Sequence, residues 1–209
     1  MKRRLIAALL IAACSVHGQG TFVNLNFEQA NIPSIPTGQG GNPVSVIDGV
    51  PGWAVYLGGG AQSSMFHNDV SLGAGVVAIF GPQWFPSQII EGSYTVSLQP
   101  STSGPPTSAA IGQTGQIPAS ASSVRFYGNG GYTLTFGGQP IPLVILGNTA
   151  AYKVFGGDIS GFVNQTGELR FQGGGLLDNI FFSSQPIPEP GALSLLVVGL
   201  GLIGFRFRK

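Results

Sequence analysis

The sequence predicts an all-β fold, a single β-sandwich or jelly roll, flanked by an N-terminal signal peptide and a short C-terminal hydrophobic helix. Three observations predict it. Short apolar or alternating runs recur at regular spacing through residues 19–187, and no convincing run keeps the 3.6-residue period of an amphipathic helix. The whole chain carries 34 glycines and 15 prolines, most of them between these runs, as tight turns between strands require. Hydrophobic residues make up 43% of the chain and aromatics 10%. That supplies a core for the strands to cover, which a disordered low-complexity chain lacks.

Taken in order, Val23, Leu25 and Phe27 alternate with Asn24, Asn26 and Glu28, the period-2 pattern of a half-buried strand. Residues 31–50, rich in Pro, Gly and Ser, read as loop. A Pro51-Gly52 turn leads into a strand over 53–57, whose Trp53 reads as core. Residues 61–72 are ambiguous and leave room for one helical turn. Residues 75–80 suit a fully buried strand, and 88–98 a strand in which Tyr94, Val96 and Leu98 alternate. A low-complexity loop over 99–108 precedes a strand at 111–117. The sharpest local signal follows. Val124–Tyr127 and Tyr132–Phe136 flank Gly128-Asn129-Gly130-Gly131, and an Asn-Gly pair tolerates the positive φ of a hairpin turn. Strands over 141–146, 151–155, 168–171 and 176–182 bring the count to roughly nine to eleven, the density of a sandwich. No internal repeat is present.

Charge is concentrated at the ends. Of nine basic residues, Lys2, Arg3, Arg4, Arg206, Arg208 and Lys209 lie in the terminal segments. Residues 19–187 keep Arg125, Lys153 and Arg170 against Glu28, Asp48, Asp69, Glu91, Asp158, Glu168 and Asp178, a formal charge of −4. Three scattered cations give no footprint for a phosphate backbone, so nucleic acid is not an expected partner.

The histidines bear most on catalysis. His17 falls in the leader, which leaves His67. No Gly-x-Ser-x-Gly elbow accompanies it, and no cysteine joins it in a zinc set. His67 therefore reads as an ordinary loop or edge residue. A glycosidase needs two carboxylates about 5–10 Å apart, and no strand pattern places two together. The expectation is a non-catalytic protein, with a glycoside hydrolase or lyase as the alternative. For binding, Trp84 and Phe85 sit in Gly81-Pro82-Gln83-Trp84-Phe85-Pro86. Two φ-restricted prolines would hold these rings on a rigid loop, where Trp84 would offer an exposed face to a glycan. The other reading of Trp84 is a lid over one end of the sandwich.

The two ends carry targeting signals. Met1-Lys2-Arg3-Arg4 followed by the apolar Leu5–Ala13 is a secretory signal peptide, residues 1–18. Val16 and Gly18 suit the −3 and −1 positions, which makes Gln19 the mature N-terminus. Ile11-Ala12-Ala13-Cys14 also resembles a lipobox, which would leave Cys14 lipidated. At the other end stand Pro188-Glu189-Pro190, an apolar run Ala192–Phe205 that includes Leu195, Leu196, Val197 and Val198, and a basic close of Arg206, Arg208 and Lys209. This three-part order resembles the PEP-CTERM sorting signal of Gram-negative bacteria. The resemblance implies an exosortase-type processing enzyme as partner, and a transient inner-membrane intermediate held by the hydrophobic segment. It further implies delivery to the cell surface or an exopolysaccharide matrix. At roughly 1.5 Å per residue the apolar run reaches about 21 Å, short of a hydrocarbon core of roughly 30 Å. A segment that is later removed need not span well; a plain tail anchor is the alternative.

Glu28 ends the first expected strand and Asp178 lies in the last. These two stretches resemble the termini of jelly-roll carbohydrate-binding modules with a galactose-binding-like fold. That resemblance implies a structural Ca²⁺ held by Glu28 and Asp178, hard oxygen ligands being what calcium takes. The other reading has both acids bonded to loop amides. The sequence thus divides into a signal peptide at 1–18, a β-sandwich at 19–185 and a sorting signal at 186–209. It reads as an exported surface or matrix protein that binds polysaccharide, or as a passive structural component of the envelope.

Overall fold

The computed structural model describes residues 19–35 and 42–188. Its strands are β1 (Pro43–Ser45), β2 (Ala54–Leu57), β3 (Gly60–Gln62), β4 (Ser64–His67), β5 (Val76–Phe80), β6 (Thr95–Gln99) and β7 (Ala109–Gln116). They continue with β8 (Ser123–Gly128), β9 (Gly131–Phe136), β10 (Gln139–Ile141), β11 (Leu143–Asn148), β12 (Lys153–Asp158) and β13 (Thr166–Ser183). Helix among the described residues is limited to the single turn α1 (Val46–Gly49) and a 3-10 turn at Ser160–Phe162.

The fold is a β-sandwich, and β13 builds both of its layers. Its first half pairs with β7 on one side and β9 on the other. Its second half pairs with β6 and β8. One layer therefore runs β3-β2-β7-β13-β9-β10 and the other β1-β4-β5-β6-β13-β8-β12-β11. Every pairing is antiparallel except β4 with β5. The strand passes between layers at Gly173-Gly174-Gly175, where Gly173 (φ 156°) and Gly175 (φ 131°) adopt backbone conformations that a side chain disfavours. The chain between β8 and β9 crosses at the same place, so closely that a Cβ on Gly130 would overlap the Gly174 carbonyl oxygen.

Both layers feed one core. Val55, Ile111, Leu134 and Leu169 from the first meet Ile79, Val96, Val124 and Phe182 from the second, all nearly inaccessible. Phe126 bridges them, edge-on to Phe171 at 5.1 Å and stacked on Phe155 at 5.0 Å. Trp53 is core, as its sequence context predicts, between Phe27 and Phe171.

Five local expectations need correction. The Asn-Gly turn does not close a hairpin. β8 and β9 pair with different halves of β13, and Asn129 fixes the crossing instead, its Oδ1 accepting from Leu176 N (2.8 Å). Residues 23–28 are not a strand, because Asn24 (φ 51°) and Phe27 (φ 60°) are left-handed. The segment turns so that Phe22, Leu25 and Phe27 are buried and Val23 faces outward. Tertiary bonds replace a strand ladder: Gln113 bonds both Val23 N and Val23 O, and Trp53 Nε1 donates to Asn24 O. The expected loop at 31–50 holds β1 and α1, and the ambiguous 61–72 holds β3 and β4 with no helical turn. Finally, 168–171 and 176–182 belong to one continuous strand, because glycine lets β13 bend without ending.

Candidate functional site

Glu28 and Asp178 converge on the loop at residues 91–94 and on Thr95, the first residue of β6. Glu28 Oε1 accepts from Ser93 N (2.8 Å) and Tyr94 N (3.1 Å). Asp178 Oδ2 accepts from Thr95 Oγ1 (2.6 Å) and Glu91 N (3.1 Å), and its Oδ1 from Asn179 N (2.7 Å). Burial holds the Asp178 carboxyl up at about 6 despite these donors, and the Glu28 charge adds to the effect. The atoms facing the carboxylates are N–H and O–H donors, which matches the loop-amide reading of these acids. Calcium takes oxygen ligands instead, and among the described residues no group of three or more His, Cys, Asp and Glu comes together.

Trp84 is not the exposed ring that its loop predicts. It is 8% exposed and lies flat on Phe80, with ring centroids 4.2 Å apart and planes 3° apart. The Gly81–Trp84 turn, closed by Trp84 N donating to Gly81 O (2.9 Å), folds the indole inward and leaves Phe85 82% exposed. Trp84 thus covers a small second cluster with Phe80, Ala78 and Leu176. It also walls a cavity of about 900 Å³ between β2, β4 and β5, lined mainly by aliphatic side chains such as Val55, Met65 and Val77. His67 is buried rather than at a surface. Burial lowers its pKa, and its Nδ1 has no hydrogen-bond partner.

The sequence reading missed an aromatic face. Tyr127 on β8 stacks on Tyr152, with centroids 4.6 Å apart and planes 20° apart, and Phe181 on β13 stands edge-on to Tyr127 at 6.3 Å. All three rings are half-exposed. Alternation puts Val124 and Phe126 inside, so Tyr127 lies on the outer face of its sheet. Glu91 and Asn179 sit at the rim and hydrogen-bond each other. Burial, then the Glu91 charge, raises the Tyr127 pKa. No local signal could have revealed this group, since its rings come from β8, from β13 and from the residue just before β12, which are brought together only by strand pairing. A second surface cluster lies on the other sheet, where Tyr56 Oη donates to Glu168 (2.6 Å) and Arg170 lies over the Tyr56 ring (4.0 Å).

The body ends at Ser183, and residues 184–187 lead to Pro188, which is exposed. The Gln185 carbonyl accepts from Ser123 Oγ (2.7 Å) and Arg125 Nη2 (3.2 Å). Glu189, Pro190, Leu195, Leu196, Val197, Val198, Arg206, Arg208 and Lys209 lie outside the described residues, as do the signal peptide and Cys14. Among the described residues no helix is long and apolar enough to cross a membrane. No curated protein and no solved structure matches the chain. Residues 186–209 match the family described as the PEP-CTERM protein-sorting motif. The chain therefore carries a PEP-CTERM sorting signal at its C-terminal end, which indicates export and sorting to the cell surface through an exosortase-type enzyme.

Proposed function

We propose that the body is a non-catalytic polysaccharide-binding sandwich, displayed at the cell surface or in an extracellular matrix, and that Tyr127, Tyr152 and Phe181 form its binding face. The observation that carries this is the stacked, half-exposed aromatic group on an outer sheet face. Flat rings cover the apolar C–H faces of sugar units at little conformational cost, while Glu91 and Asn179 at the rim offer partners for hydroxyls. A body at −4 favours a neutral glycan over an acidic one. The cavity beside Trp84 has a mainly aliphatic lining that suits sugar hydroxyls poorly. Two observations support a non-catalytic role. The acid with a raised pKa, Asp178, is 1% exposed, out of reach of a substrate, and Glu28 is engaged by loop amides.

The test is binding of the purified exported protein to neutral polysaccharides, measured by affinity electrophoresis and calorimetry. Tyr127→Ala and Phe181→Ala should each weaken binding about tenfold or more, as central aromatic contacts do. Binding unaffected by either change removes the face from the site. No binding to any glycan leaves a passive envelope component, and release of shortened sugar products shows an enzyme.

A further inference from the structure

Residues 184–187 join β13 to the first proline of the sorting motif, and the body holds them down. The Gln185 carbonyl takes hydrogen bonds from Ser123 Oγ and Arg125 Nη2, and Arg125 Nε is itself set on Ser123 Oγ (3.2 Å). Ser123 is fully buried, so its hydroxyl is a fixed anchor. Two residues further on, Ile187 lies over Gly156 of β12. A Cβ built on Gly156 would stand 2.8 Å from Ile187 Cδ1 and 2.5 Å from Leu146 Cδ1, so the missing side chain leaves a shelf for both tips. Strand register sets Arg125 beside Gly156 on one side and Phe181 on the other. The connector therefore runs along the outer face of β8, β12 and β11 before Pro188 emerges into solvent.

We propose that this docked connector restrains processing of the sorting signal, so that the exosortase-type enzyme acts only on chains in which residues 185–187 have lifted off the body. The inference rests on the sorting signal assigned above and adds a control on the body side. An enzyme that processes a peptide segment must surround it. Here the Gln185 carbonyl and the Ile187 side chain are already engaged by the domain. The competent population is then the undocked fraction, and the apparent rate falls in proportion to it. The Arg125 bond is charge-assisted, the stronger kind, and its loss raises that fraction about tenfold.

The experiment follows the full-length chain by pulse-chase in cells that carry the processing enzyme, with intact mass as the readout. Arg125→Ala and Leu146→Ala loosen the connector from the body side and leave the motif untouched. Both should be processed faster, Arg125→Ala by about tenfold and Arg125→Lys by less. In the unprocessed variants an added nonspecific protease should cut residues 184–187 more readily. Should one variant misfold, the other carries the comparison. Easier cutting with an unchanged processing rate overturns the proposal, because docking then has no bearing on the enzyme. Slower processing also overturns it, because docking then presents the motif. A wild-type chain that retains its tail throughout is a different outcome, and it removes the sorting assignment itself.

Discussion

Trp84 separates packing from exposure, and its replacement gives a number. The indole is 8% exposed and stacked at 4.2 Å on Phe80. Truncating a buried Trp to Ala costs about 3–5 kcal/mol. Two features place Trp84→Ala near the lower end. The ring borders a cavity of about 900 Å³, so it loses fewer neighbours than a fully packed side chain. Its Nε1 is also buried without a hydrogen-bond partner, and a buried unpaired donor costs about 1–3 kcal/mol, which truncation relieves. The net expectation is about 3 kcal/mol, or a melting temperature lower by about 6–12 °C for a domain of this size. Trp84→Phe keeps the stacking on Phe80 and deletes the unpaired donor, so it should stay within about 1 kcal/mol of wild type. Urea unfolding of the exported protein measures both. A cost under about 1 kcal/mol for Trp84→Ala would refute the burial argument. Equal losses for the Ala and Phe variants would refute the claim about the indole nitrogen.

Two further predictions rest on single contacts. Gly130→Ala should destabilise by more than about 4 kcal/mol in the same unfolding assay, because its Cβ would overlap the Gly174 carbonyl and backbone has no flexible tip to yield. Asp178 should make stability fall as pH rises. Its folded pKa of about 6 lies above the unfolded 3.8, so the folded state binds the extra proton. That contribution is complete below about pH 4 and is lost as pH rises through 6. The loss attributable to this group is about 3 kcal/mol at about 1.4 kcal/mol per pKa unit, and Asp178→Asn should flatten the slope in melts from pH 4 to 7.

The fold class was legible because the body's residues keep short periodic runs and frequent turn residues; Val76–Phe80 forms where its apolar run puts it, while the run at 88–98 becomes strand only from Thr95 on. What was not legible is pairing. Asn129-Gly130 carries the local chemistry of a hairpin, yet the partner that wins is Leu176, 46 residues or more away, because both chain segments need glycine where they cross. The run at 23–28 shows the same limit. Asn24 satisfies its left-handed backbone by donating to Pro51 O and accepting from Gln29 N, bonds that no period-2 count can register. For the site, the terminal motif is contiguous and could be read directly. The face of Tyr127, Tyr152 and Phe181 exists only because β8 pairs with β13 on one side and with β12, which Tyr152 precedes, on the other. Trp84 misled because two prolines suggest a projecting loop, whereas one backbone hydrogen bond to Gly81 turned the ring inward.

The architecture also bears on how a chain sorted through its C-terminus carries load. The signal begins three residues after Ser183, the last residue of β13. Tension on the tail loads the Gln185 and Ile187 contacts first and then that strand. β13 is paired along nearly its whole length, to β8 and β6 in one layer and to β7 and β9 in the other, with β7 and β9 flanking it together over residues 169–172. Pulling it along its axis must break its ladder bonds to β8 first and, further in, those to β7 and β9 together over 169–172. The polar groups that a freed strand would strand in the core, above all Asp178 with its three donors, raise the cost further. The glycine crossing is tight, since Gly173 and Gly175 lie so close to Gly130 and Gly131 that neither has room for a Cβ. The strand that joins the two layers is thus also the one that the signal follows, and freeing it would separate the four strands that it pairs with.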